Sequence, residues 1–397
     1  MRDADGDGNA MRIAGVLKLA PALAAIAVGV VLTGGACGRS IFPAATNSTT
    51  ATPTGSPSPT TGHFLYTSNT ADGKVAEFKR NLTTGALTLA GSVGAGSVNG
   101  PIGITNGPGA RFIYVANSTD SNVRQYKIDL SNGLLASIGT IPAGTSPQWI
   151  AVSPTATFAF TTNFSAGTIS PYTIDSTTGV LTANGSAFLS SLLTNPSGAV
   201  ATASFLYVTD EAQGTVANFP ITSTGTLLAG TSTFLTTLGF GSPSPGPMII
   251  DPTGQFVYAT DLKLGVVYFL TVGTNGVLNY VNTYQSSNAA EGGLVFVPTT
   301  GATFLYVANQ QATPPSISAF QVQSGILTFS ATYTDPSLKL PTGLAVDPTD
   351  TFLYVTNQGA GTVTQFTITA GTGVLTKPVV FKTESATSGP LYIAIAN

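Results

Sequence analysis

One six-residue motif recurs through this chain and limits its fold more than any other feature. It reads FLYTSN from Phe64, FIYVAN from Phe112, FAFTTN from Phe158, FLYVTD from Phe205, FVYATD from Phe256, FLYVAN from Phe304 and FLYVTN from Phe352. Successive copies lie 46 to 51 residues apart, and a near-constant period of that length marks a repeat architecture. In most copies a Pro followed by an apolar β run comes just before the motif. The last nine residues, GPLYIAIAN from Gly389, are such a run with no motif after it. The copy at Phe64 is a motif with no such run before it. A chain that starts and stops in the middle of its own repeat reads as a closed ring.

One unit, taken from Pro341, divides into four strands: PTGLAV, FLYVTN, GTVTQFTIT and GVLTKPVVF. Each is a short β-branched or aromatic run bounded by Gly, Pro, Asn or Asp. In DPTG at Asp251 and DPTD at Asp347, Asp opens a turn and Pro sets the next φ. Gly179 and Gly373 suit tight hairpins that need positive φ. Along the motif both side-chain parities are apolar, as in Phe304 and Tyr306 against Leu305 and Val307, so the strand is buried on both faces. Four strands per unit in seven units predict an all-β fold, a seven-bladed β-propeller. The C-terminal run, Pro390 to Ala396, is expected to be the innermost strand of the blade begun by residues 64–96. It would close the ring and cover a strand edge.

Residues 1–62 stand outside this pattern. Met11 is the expected start, followed by Arg12, Lys18, an apolar run from Leu19 to Leu32, and the small residues Gly34, Gly35 and Ala36. Residues 1–36 therefore read as a signal peptide, because the run is shorter than the roughly 20 residues of a spanning helix. Cys37, the single cysteine, leaves no internal disulfide. Its place resembles the acylated cysteine of bacterial lipoproteins. That resemblance implies an exported protein, periplasmic or at the cell surface, held to the membrane by a lipid alone. Residues 37–62 are a Ser/Thr/Pro-rich linker, and 63–397 are the propeller. The string DADGDGNA at 3–10 begins like a calcium loop, but Ala14 stands where the required Glu would be.

Charged residues make up 8% of the chain and the net charge is −3. No basic patch is visible, which excludes nucleic acid as an expected partner. No Gly-x-Ser-x-Gly elbow, phosphate-binding Gly-Lys loop or His/Cys metal constellation is present, so neither cofactor nor metal is expected, and the protein is expected to be a monomer.

The segment GLAVDPTDTFLYVTNQGAGTVTQFTIT resembles the seven-bladed lactonase-like propellers, the group of 6-phosphogluconolactonases related to the YVTN repeat proteins. The likeness extends over residues 64–397. It implies lactone hydrolysis by a His with Arg and acidic partners where the inner strands meet the channel. The matching positions here, SPQWIAVSP at 146–154 and NPSGAVA at 195–201, hold no His. The one His, His63, lies at the linker edge.

By analogy with other propellers, a guest would sit at the axial mouth. The expected ligand-binding residues are Gln148, Trp149, Asp261, Lys263 and Lys339. The candidate acid–base residues are Asp210, Glu211 and Glu291. Asp210 and Asp261, however, stand where the other five motifs end in Asn, which also suits turn capping. Two functions follow. One is a binding module for a small molecule, a glycan or an envelope protein. The other is a lactone hydrolase, with one of these carboxylates activating water and Lys263 or Lys339 stabilising the oxyanion.

Overall fold

A computed structural model of the protein describes residues 64–237, 239, 241–287 and 292–396. The leader, the linker, Cys37, His63 and Glu291 lie outside the described residues. Seven antiparallel sheets are present, and in all but the one that closes the ring the chain runs from the innermost strand outward. We number the blades from the one that holds Phe64–Asn69. The inner strands of blades one to seven are Pro390–Ala396, Pro101–Asn106, Pro147–Val152, Pro196–Ala201, Pro245–Ile250, Leu294–Thr299 and Pro341–Val346. Consecutive inner strands touch one another around the whole circle.

The ring closes between the two ends of the repeat region. Pro390–Ala396 pairs antiparallel with Phe64–Asn69, Phe64 opposite Ala396 and Asn69 opposite Pro390. Blade one thus takes its inner strand from the C-terminus and its other three, Phe64–Asn69, Lys74–Arg80 and Leu87–Gly94, from the start of the repeats.

Most letters of the motif have a physical task, and most of those tasks join neighbouring blades. The opening Phe packs on the hairpin between the third and outer strands of the next blade. A Cβ on the hairpin residue Gly133 would lie 2.3 Å from the Phe64 ring, and its φ is +81°, so glycine is needed there for both space and conformation. The same pairing recurs in all seven blades, ending with Phe352 on Gly85. The Tyr two residues on donates its hydroxyl to that glycine's carbonyl: Tyr66 to Gly133 at 2.8 Å, Tyr114 to Gly179 at 2.6 Å and Tyr354 to Gly85 at 2.6 Å. The intervening residues turn to the other neighbour, as Leu305 and Val307 pack with Tyr258 and Phe269 of blade five, while Phe304 and Tyr306 pack with Leu353 and Val355 of blade seven.

The hydroxyl before the final Asn or Asp donates to the next blade's inner strand. Ser68 reaches the Ile102 carbonyl, Thr162 the Ser197 carbonyl and Thr356 the Leu391 carbonyl, at 2.6, 3.0 and 2.6 Å. The final residue holds the loop ahead of its own inner strand, as Asn163 Oδ1 accepts the Gly144 N–H at 3.0 Å.

Blade three departs from the pattern. Its outer strand is split into Leu181–Ala183 and Phe188–Leu189, both paired with Thr168–Ile174. Pro171 lies opposite the break. Its carbonyl accepts the Asn184 N–H at 2.9 Å, but a proline has no N–H to return. Among the described residues no helix is long and apolar enough to cross a membrane.

Candidate functional site

The inner strands all begin at one end of the ring, and their third residues border the axis. In most blades this residue is Gly or Pro (in blade six the equivalent position is Gly293, just before Leu294), because the strands converge. A Cβ on Gly103, Gly198 or Gly343 would lie 2.7, 2.5 or 2.4 Å from the carbonyl oxygen of Gln148, Gly246 or Leu391 in the next blade. Blades three and one instead carry Trp149 and Tyr392. Their rings meet edge to face, with centroids 4.8 Å apart and planes at 81°, a favoured aromatic geometry. Their backbones are pinned by the same hydroxyls that join the blades. Thr162 Oγ1 accepts the Trp149 N–H at 3.2 Å and Ser68 Oγ accepts the Tyr392 N–H at 3.3 Å.

Above this pair opens a cavity of about 130 Å³, walled by Gln148, Trp149 and Tyr392 together with Ser197, Glu211 and Leu262. Burial pushes the Tyr392 phenol up to about 12, so it stays a hydrogen-bond donor at neutral pH. Neither its hydroxyl nor the Gln148 amide has a partner among the described residues. Glu211 is different. Its Oε1 accepts from Ser244 Oγ at 2.9 Å and pairs with Lys263 Nζ at 3.2 Å, while its Oε2 has no partner among the described residues.

A second cavity, of about 210 Å³, lies beside the split outer strand of blade three. It is lined by small residues such as Ala143, Gly144, Ala183 and Gly185, and by Tyr172, whose hydroxyl already donates to the Pro142 carbonyl. It lacks the converging polar groups of a ligand site, so the smaller axial cavity is the stronger candidate.

The structure brings Gln148, Trp149 and Glu211 together at this mouth and sets the other expected residues apart. Asp210 is buried behind it. One of its oxygens accepts the N–H groups of Thr194 and Asn195 at 2.6 and 2.9 Å, the other that of Gln213 at 2.9 Å. Asp261 is likewise buried and accepts from Ser244, Lys263 and Leu264 backbone N–H groups and from the Tyr268 hydroxyl. Four donors leave that carboxylate no free lone pair aimed at a guest. Tyr268 stands where blade seven has Thr364, whose hydroxyl meets the Asn357 amide at 2.9 Å, so the Asn-to-Asp exchange is matched by a donor. Lys263 reaches the mouth only at its rim, with its side chain 64% exposed. Lys339 is exposed and does not line the cavity. Tyr392 is the residue that sequence reasoning missed. Comparing the third residues of the inner strands, the comparison that singles out Trp149, would have found it.

The sequence matches the family described as Lactonase, 7-bladed beta-propeller over residues 58–144, 135–293 and 296–388. No curated protein matches it. Among solved structures, a Bacteroides fragilis protein provisionally assigned as a 6-phosphogluconolactonase is 18% identical, with a TM-score of 0.72 over 86% of this chain and 100% of that one. The periplasmic gluconolactonase PpgL of Pseudomonas aeruginosa is 17% identical, with a TM-score of 0.70 over 84% of this chain and 99% of the other. A catalytically inactive variant of virginiamycin B lyase from Staphylococcus aureus, solved with quinupristin, is 15% identical, with a TM-score of 0.53 over 75% and 91%. Likeness at such identities speaks for the fold, on which both hydrolases and a lyase occur. The matched segments of the sequence run through all seven blades, and on that ground the chain belongs to the family of seven-bladed lactonase propellers.

Proposed function

We propose that the axial mouth binds a small polyhydroxylated ring of the sugar or sugar-lactone type. The observation that carries this reading is the cavity between Trp149, Tyr392, Gln148 and Glu211. An indole offers an apolar face for the C–H side of a sugar ring. Around it stand a phenol, an amide and a carboxylate oxygen, all without partners among the described residues, which suit the hydroxyls of such a ring.

A second reading, hydrolysis of a sugar lactone, is favoured by the family and by Glu211, the one carboxylate that lines the cavity among the described residues. In that reaction Glu211 Oε2 takes a proton from water as the water oxygen bonds to the lactone carbonyl carbon. The ring C–O bond then breaks as the protonated Glu211 gives that proton to the ring oxygen, which leaves as a hydroxyl. Tyr392 is the donor placed to hold the carbonyl oxygen.

Both readings are open to one experiment. Trp149 is the only tryptophan in the chain, so intrinsic fluorescence reports the mouth directly. Saturable change with δ-gluconolactone, without turnover above the spontaneous rate, supports binding alone. Turnover that falls by about 100-fold or more in Glu211→Gln supports hydrolysis. No spectral change and no turnover with a panel of sugars and lactones would overturn the proposal.

Export and lipid attachment at Cys37 are proposed from the sequence alone. Mass spectrometry of the mature protein would then find an acylated cysteine as its first residue, and an intact leader or an unmodified Cys37 would refute the attachment.

A further inference from the structure

Resting on the binding reading, we infer that this mouth takes an uncharged ring and disfavours its phosphorylated counterpart. Among the described residues the cavity lining contains no Lys and no Arg, and Glu211 is its one ionisable group apart from the Tyr392 phenol. The two loops that form this side of the mouth carry three carboxylates, Asp210, Glu211 and Asp261, against a single ammonium, Lys263. Asp210 and Asp261 are each 0% exposed, so water screens them weakly. Lys263 points outward and its charge is already engaged by Glu211 at 3.2 Å.

A phosphate site needs the opposite arrangement: an Arg fork, a free Lys, or a helix N-terminus aimed at the guest. A dianion seated in the cavity would lie against Glu211, while the ammonium stays at the exposed rim. In a largely aqueous mouth at low salt, repulsion between a dianion and an adjacent carboxylate corresponds to about fivefold in affinity.

The test uses the full chain and the fluorescence of Trp149. Freshly dissolved δ-gluconolactone and its 6-phosphate are titrated in parallel, at low salt and at high salt. The neutral lactone is expected to bind about fivefold tighter at low salt, with the ratio shrinking as salt rises. Glu211→Gln should narrow the ratio by removing the inward charge and freeing Lys263. Lys263→Met, a change at an exposed side chain, should widen it. Equal affinities, or tighter binding of the phosphate, would overturn the inference while leaving the binding reading intact. Absence of any response to either sugar would instead defeat the binding reading.

Discussion

At the scale of single residues, the turn opened by Asp347 shows how strongly this fold can load one carboxylate. Asp347 is buried. One of its oxygens accepts the Thr351 and Phe352 N–H groups at 2.8 and 2.7 Å, and the other meets Arg80 Nη1 of blade one at 2.9 Å. Asp350, three residues on, has φ +55° and no side-chain partner among the described residues. Burial first, and then the charge of Asp347, push its carboxyl up to about 7, against an ordinary value of about 3.9. The native state therefore holds this proton more tightly than the unfolded chain. The sign follows: stability falls as pH rises from about 4 to 7, and the loss is complete above that range. Asp350→Asn removes the charge and keeps a residue that tolerates positive φ. It should raise the melting temperature by about 2 °C at pH 8 and by much less at pH 4.5. Thermal melts at the two pH values check this, and an equal shift at both would show that Asp350 does not titrate in this window.

At the scale of the strand, the second strand of each blade acts as a two-sided connector. Its Phe and Tyr engage the hairpin of the next blade, its alternate residues fill the interface with the previous one, and its last two residues fasten inner strands. This explains why the motif could be read so plainly. Each blade needs the same few contacts, so the same letters return at the same spacing. The closing strand was legible for a similar reason, since Pro390–Ala396 repeats the inner-strand pattern and lacks a following partner. Local exceptions were harder to see. Pro171 sits in an interior strand of its blade, where it deprives the outer strand of a donor, yet one proline among 25 carries no distinctive mark in the sequence. The mouth was half legible. Trp149 stands out because it is unique, whereas Tyr392 is one of 13 tyrosines and was hidden by its membership in the closing strand. The roles of Asp210 and Asp261 depend on which backbone N–H groups fold over them, and that information is tertiary.

At the scale of the whole ring, the few ion pairs are placed where the circle joins and where a guest would sit. Of the three ion pairs among the described residues, Glu211 with Lys263 lies at the mouth and the other two lie at the seam. Arg80 with Asp347 links blade one to blade seven with both side chains buried, and Lys74 with Glu384 ties blade one to the loop that leads into the closing strand. Backbone N–H groups of Thr70 and Ala71 bond to the carbonyls of Gly389 and Ser388, both at 3.0 Å. A propeller is open to slippage only where it is not covalently continuous, so reinforcement there is what a closed ring requires. Removing residues 389–397 would strip the pairing edge from Phe64–Asn69, expose Leu65 and Tyr66 beside an unpaired strand, and take Tyr392 out of the mouth. The truncated chain should melt more than about 10 °C lower and form oligomers on size-exclusion chromatography, as free edges pair between molecules. A synthetic peptide of residues 389–397 should recover part of the loss by strand addition. An unchanged melt and a monomeric profile would mean that six blades and an open seventh suffice, and that the seam contacts decorate the ring without holding it.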